Sequence, residues 1–270
     1  MSEQILKALI RLFALISDIH EDTVITSKGK NIVRLFLNRH LNKEQVALYM
    51  KMFDEYLAQY SSERIAKGSI KDRKRTSLNA MRILAICENI NEELQQKNKV
   101  FLLAKLIDYI YFGEEITENE LDFLRTVADA FFITGSEYQD ISGFIMGTEA
   151  DIPGKRNLLL INNNEVHEHP GVNHICDLRI RGTISFLHVT STNTYLMRYS
   201  GNDDLYLNGQ AITPSVTYTF DHGSSVRGSG INPVYYSEVV SIISGTSFSA
   251  RVFLDANEVS FRFRKSDNGI

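Results

Sequence analysis

Leu205–Glu238 reads LYLNGQAITPSVTYTFDHGSSVRGSGINPVYYSE, and its punctuation decides how the second half of the chain is read. Short apolar runs are cut by Asn208-Gly209, Pro214, His222-Gly223 and the glycines from Gly228 to Gly230. Asn-Gly between two strand-like runs is the strongest short hairpin signal, because both central residues of a type I′ turn need positive φ. The stretch predicts a compact β module that presents loops. It holds no nucleophile, base or metal constellation that names a reaction.

The same period of two extends outward. Upstream it covers Leu158–Ile161, His174–Ile180, Thr183–Val189 and Thr194–Tyr199; downstream it covers Glu238–Ile243 and Ser249–Leu254. Short strands at close, regular spacing predict a β-sandwich. Ahead of it, TEADIPGKRN carries Pro153 and Gly154 and reads as a linker. From Ser2 to about Gly147 the pattern is helical, and the absence of proline before Pro153 suits a bundle.

Within that bundle a first helix places Ile5, Leu9, Leu12, Phe13 and Ile16 on one face. A second, capped by Thr26 or Ser27, turns Ile32, Leu35 and Phe36 inward. A third, capped by Asn42, carries Val46, Met50, Phe53 and Leu57. A fourth, from about Leu78 to Gln96, has Met81, Leu84, Ala85 and Leu94 as its apolar residues; a fifth holds Val100 to Tyr111. Thr117 opens a sixth, with Glu120 placed to complete a capping box, and Ser136 opens a seventh. The fold class expected is α+β and multidomain: an all-α bundle over 1–147, a linker over 148–156, an all-β sandwich over 157–254, and the start of a further domain over 255–270.

Composition narrows the function classes. The chain has 270 residues, 43% hydrophobic and 23% charged, which is ordinary for globular proteins. A net charge of −4 gives no global push toward nucleic acid or anionic lipid. Lys67–Arg75 is basic, but Asp72 interrupts it and no aromatics interleave for base stacking, so it reads as a solvated loop and helix start. Cys87 and Cys176 lack metal spacing and read as reduced thiols of a cytoplasmic protein. No apolar run is long enough to span a bilayer. Gly29-Lys30 and Gly154-Lys155 lack the rest of a phosphate loop, and Gly223-Ser224-Ser225 and Gly245-Thr246-Ser247 do not make a nucleophile elbow. His167, His169 and His174 cluster in sequence; His-x-His on one strand could bind a metal because alternate residues share a face, but Pro170 and the polar neighbours favour an exposed loop.

The helical half contains an echo. Leu12–Gln45 and Leu103–Gln139 each run from an apolar helix through an acidic turn to Ile-Thr opening a helix, at Ile25-Thr26 and Ile116-Thr117. Arg34 and Arg125 each follow nine positions after their isoleucine. The turns HEDTVIT and YFGEEIT resemble the Asp-Gly-x-Ile-Ser/Thr turn of TerB-like domains, duplicated helical bundles named for tellurite-resistance proteins. Some of those bind a divalent cation through acidic turn residues. Here Thr23 stands where the family has glycine, and Gly113 stands at an acidic position. The resemblance implies Asp18, Glu21, Asp22 and Asp108 as candidate ligands, with Glu114 and Glu115 nearby; the alternative is that these carboxylates sit at helix starts or on solvated surface.

In the β half, SFLHVTSTNTYLMRYSG, LYLNGQAI and YTFDHGSSVRG together resemble a degenerate forkhead-associated (FHA) module. That family's phosphothreonine-reading Gly-Arg turn and Ser-x-x-His loop have no counterpart at the expected places. The resemblance then implies a protein-binding surface, for which Arg198, Arg227, Tyr235 and Tyr236 are the candidates, since arginine and tyrosine are enriched at hot spots; the alternative for each tyrosine is packing with its hydroxyl at the rim. Finally, ANEVSFRFRKSDNGI resembles the first strand of an ABC-type nucleotide-binding domain. TerB-like helices, FHA-like sandwich and such a strand, in that order, are similar to bacterial ABC transporter ATP-binding proteins of the Bacteroidetes type. The resemblance implies a non-catalytic regulatory region on the cytoplasmic side of the inner membrane, with ATP and magnesium held only by the downstream ATPase. Its partners would be proteins, the parent's own ATPase domain included, with no nucleic acid and with membrane contact only through downstream segments. The alternative is a free-standing metal-responsive stress module, similar to tellurite-resistance proteins, that binds a divalent cation.

Overall fold

The computed structural model describes residues 3–19, 30–31, 33–35, 37–38, 41–66, 72–111, 116–147, 152, 154–165 and 169–245. Among the described residues the first helices are α1 (Glu3–Ile19), α2 (Lys43–Ala66), α3 (Asp72–Glu93), α4 (Gln96–Ile110), α5 (Glu118–Ala130) and α6 (Gly135–Met146). A further helical stretch at 30–38, where described, buries Val33 and Leu37. Nine strands follow: β1 (Leu158–Asn162), β2 (Asn173–Cys176), β3 (Gly182–Val189), β4 (Thr194–Gly201), β5 (Leu205–Leu207), β6 (Gln210–Ala211), β7 (Tyr218–Thr219), β8 (Ser225–Gly228) and β9 (Val234–Tyr235), then helix α7 (Tyr236–Ile243). The chain is α+β, helices first and sheets second. Among the described residues no helix is long and apolar enough to cross a membrane.

The strands make two sheets, ordered β2-β1-β3-β4-β7 and β6-β5-β8-β9. In the first, β1 and β2 run parallel and the other pairings are antiparallel; the second is antiparallel throughout. The run Leu158-Leu159-Leu160-Ile161 is apolar without alternation because β1 is buried on both faces. Leu158 and Leu160 join a core with the helices, whereas Leu159 and Ile161 join a second core between the two sheets. On β4 the same parity sends Leu196 to the helices and Tyr195, Met197 and Tyr199 to the second sheet. The molecule is thus layered as helices, a five-stranded sheet and a four-stranded sheet. Ile152, within the segment that reads as a linker, is 1% exposed and belongs to the helix-side core.

Local signals explain several boundaries. Thr117 and Glu120 form the expected capping box: the Thr117 hydroxyl accepts from the Glu120 amide, and the Glu120 carboxylate accepts from the Thr117 amide at 2.8 Å. Asn208 and Gly209 both have positive φ, as the hairpin between β5 and β6 requires. α6 is capped by Thr134 rather than started by Ser136.

Three expectations are corrected. Glu238–Ile243 lies in a helix, not a strand. Its β-branched residues suggest a strand, but Tyr236, Val239, Val240 and Ile243 also fall at helical spacing and pack on the sheet core, and Gly245 follows with φ 63. Leu35 is exposed, while Val33 and Leu37 are the buried residues of its stretch. On α3, Met81, Leu84 and Ala85 face outward, and Ile83, Ile86, Cys87 and Ile90 make the core face. The outer stripe continues into Glu88 and Glu92, which cannot be buried without partners, so the isoleucine stripe wins. Ser249–Leu254 and the segment 255–270 lie outside the described residues, as do the side chains of Ile5, Ile32 and Phe36.

Candidate interaction surface and the junction behind it

The outer face of the four-stranded sheet follows from strand parity. Leu205, Leu207, Val226 and Val234 point into the core, so Tyr206, Arg227 and Tyr235 point out. Tyr206 stands opposite Arg227 in the β5–β8 register, and the Arg227 guanidinium lies 5.9 Å from the Tyr235 ring centre. Tyr206 is 43% exposed and Tyr235 45%. Two aromatic rings and a cation on one rigid sheet supply apolar area, a hydrogen-bonding rim and a charge at small entropic cost. The hairpin that carries Tyr206 is pinned to β8: the Ser225 amide donates to Asn208 Oδ1 at 2.9 Å, and Asn208 Nδ2 donates to Ser224 Oγ at 3.2 Å. The edge strands β6 and β9 have two residues each, which leaves the face, not an edge, as the broad feature.

Of the four residues read from sequence as partner contacts, Arg227 and Tyr235 lie together on this face. Tyr236 does not; its ring packs against Tyr195 at 5.4 Å, with Phe220 at 6.0 Å and His222 at 5.8 Å. Arg198 is turned the other way, into the helical layer. Tyr206 was missed, although the Leu-Tyr-Leu alternation before Asn208-Gly209 already places it opposite two core residues.

Arg198 belongs to a buried ionic cluster where α4 meets the five-stranded sheet. Its Nη1 donates to Asp108 Oδ1 at 2.9 Å. Lys105 Nζ, one turn earlier on α4, donates to Asp108 Oδ2 at 3.1 Å. Thr217, just before β7, donates to the same carboxylate from its amide at 3.0 Å and from its hydroxyl at 2.8 Å. Lys105 also donates to the Thr217 carbonyl and lies 5.4 Å and 5.5 Å from the ring centres of Phe101 and Tyr218. The Asp108 and Lys105 side chains are 2% and 4% exposed. A carboxylate this buried needs its lone pairs filled, and four donors fill them.

Of the residues implied as cation ligands, Asp108 is therefore engaged by two cations of the chain itself. Asp18 lies near the C-terminal end of α1 with its side chain outside the described residues, and Glu21 and Asp22 lie outside them altogether. Among the described residues no cluster of three or more histidine, cysteine or acidic side chains is gathered for a metal. Burial pushes the Cys87 thiol up to about 12, while Cys176 is exposed. No protein-family model, curated protein or solved structure matches this chain.

Proposed function

We propose that the chain is a non-catalytic regulatory and interaction region of an ABC transporter ATP-binding protein. In this reading a TerB-like helical unit and a degenerate FHA-like sandwich act as one body on the cytoplasmic side of the inner membrane. The observation that carries it is the exposed Tyr206, Arg227 and Tyr235 face on the outermost sheet, backed by two further layers. The Asp108 cluster supports it by tying that sheet's neighbour to the helices. The partner is protein, and the parent's own ATPase domain is the first one to test. The segment 255–270, which resembles the first strand of such a domain, gives the reading its link to ATP. ATP and magnesium belong to that downstream domain.

The test has two parts. The reading frame beyond Ile270 should encode Gly-x-x-x-x-Gly-Lys-Ser/Thr within roughly forty residues, at the start of a helix where backbone amides can cradle phosphate. The ATP turnover of that parent should then change when residues 1–254 are removed. A stop codon, or turnover that is the same with and without this region, would sink the proposal.

A further inference from the structure

Helix α5 ends in an unusual way. The Ile133 amide donates to the Ala128 carbonyl at 2.9 Å and the Phe132 amide to the Asp129 carbonyl at 3.0 Å, the two bonds of a Schellman motif. The residue in the left-handed position of that motif is ordinarily glycine. Helix α6 follows the rule, with Gly147 at φ 75. Here the position is held by Phe132, at φ 57, with 75% of its surface exposed. A bulky residue at positive φ is strained, and such strain persists only where the surroundings enforce it. They do: Asn91 Nδ2 donates to the Ala130 carbonyl at 2.7 Å and Gln96 Nε2 to the Phe131 carbonyl at 2.5 Å, clamping the turn to α3 and α4.

The Phe132 ring stands beside the outer stripe of α3. With Leu84, Cys87, Glu88 and Glu92 it lines a shallow groove of about 530 Å³. Met81 extends the apolar end and is 69% exposed; Leu84 is 50% exposed. Glu88 and Glu92 are exposed at the other end, and neither is ion-paired among the described residues. Asn91, also on the groove wall, has its Oδ1 buried with no hydrogen-bond partner. The groove thus offers apolar contact along one half, where Lys99 Nζ also lies 5.9 Å from the Phe132 ring centre, and negative charge along the other.

We infer that this groove is a docking site for a basic amphipathic helix of a partner protein. Its apolar residue lies between Leu84 and Phe132, and its lysine or arginine side chains lie over Glu88 and Glu92. Met81 to Glu92 spans about three turns, the length over which a partner helix presents such a face. The acidic end selects the occupant: it repels anionic lipid and a second copy of this same acidic stripe, and it attracts a cationic segment. The site is separate from the Tyr206 face, so the two proposals stand or fall apart.

The probe is a short synthetic helix with leucines on one face and lysines on the other, titrated by fluorescence anisotropy against the full chain, alongside its glutamate-for-lysine counterpart. The lysine helix should bind the wild-type chain and the glutamate helix should not. Phe132→Ala, and Glu88→Lys with Glu92→Lys, should each weaken binding by roughly tenfold, as loss of a central anchor or reversal of rim charge does. The doubly reversed chain should take up the glutamate helix. Phe132→Gly, which relaxes the backbone, should bind as poorly as Phe132→Ala and so separates docking from folding. The inference is overturned if the lysine helix does not bind, if these variants leave its affinity unchanged, or if phosphatidylglycerol vesicles or a second copy of the chain occupy the groove instead.

Discussion

Arg198 Nη1 lies 2.9 Å from Asp108 Oδ1, and this contact joins β4 of the five-stranded sheet to helix α4 of the bundle. Every residue from Val100 to Ile110 on that helix except Phe101 is buried. The carboxylate inside this helix is sustained by Lys105 of the same helix together with Arg198 and Thr217 from the sheet side. The two halves are therefore linked by chemistry as well as by apolar packing.

Removing Asp108 should be among the most damaging single changes in the chain. Asp108→Ala leaves Lys105 and Arg198 as buried cations without an anion, and breaking a buried pair this way costs about 3–5 kcal/mol. The midpoint of chemical denaturation should fall accordingly. Arg198→Met should cost less, because Lys105 and Thr217 still serve the carboxylate. A double-mutant cycle in which the two changes simply add would show that the contact carries no coupling.

Phe132→Gly should stabilise the chain by about 0.5–1 kcal/mol, since glycine accepts positive φ without the steric cost borne by phenylalanine. Differential scanning calorimetry would show a small rise in Tm. A fall in Tm would mean that the ring contributes packing its 75% exposure conceals.

The two thiols should react at very different rates. Cys176 is exposed, whereas Cys87 is buried and its thiol is pushed up to about 12 by burial. A thiol held protonated is a poor nucleophile at pH 8. Titration of the native chain with a disulfide reagent should show one fast thiol, and the denatured chain two. Two fast thiols in the native state would contradict the buried environment of Cys87.

Acid should act partly through Asp177. Its burial raises the carboxyl's pKa, but the amides of Asn232 and Arg179, at 3.0 and 3.1 Å, and the Arg179 guanidinium outweigh that and hold it below the usual carboxylate range. A depressed folded value means that the stabilisation is complete above the unfolded pKa, near about 4, and is lost as pH falls through the folded value. Asp177→Asn should be less stable than the wild type at neutral pH and show a shallower loss below about pH 4 in acid titrations followed by circular dichroism.

Much of the architecture is legible in the residues. The change from period 3.6 to period 2 near Gly154, the Asn208-Gly209 turn and the Thr117–Glu120 box each act through local backbone chemistry, and each is realised. What depends on which neighbour lies across the core is not local. Met81, Leu84 and Ala85 compose as good an apolar face as Ile83, Ile86, Cys87 and Ile90; only the continuation into Glu88 and Glu92 separates them. Tyr236–Ile243 satisfies strand composition and helix spacing at once, and docking on the sheet core decides. Arg198 reads as a surface arginine because charge usually marks solvent. Its parity with Leu196 places it on the helix-facing side, but the anion that makes this tolerable is ninety residues away.

The most direct test is the ATP turnover of the ABC ATPase proposed as the parent, carrying Arg227→Glu and Tyr235→Ala and measured beside the wild type at equal folded fraction. Both side chains are on the outer sheet face, outside both hydrophobic cores, so the fold should persist. If this face regulates the ATPase, turnover should change by roughly tenfold, the effect of losing a hot-spot pair at an interface. Turnover indistinguishable from the wild type, with the region folded and attached, would contradict the assignment of this face as the regulatory surface.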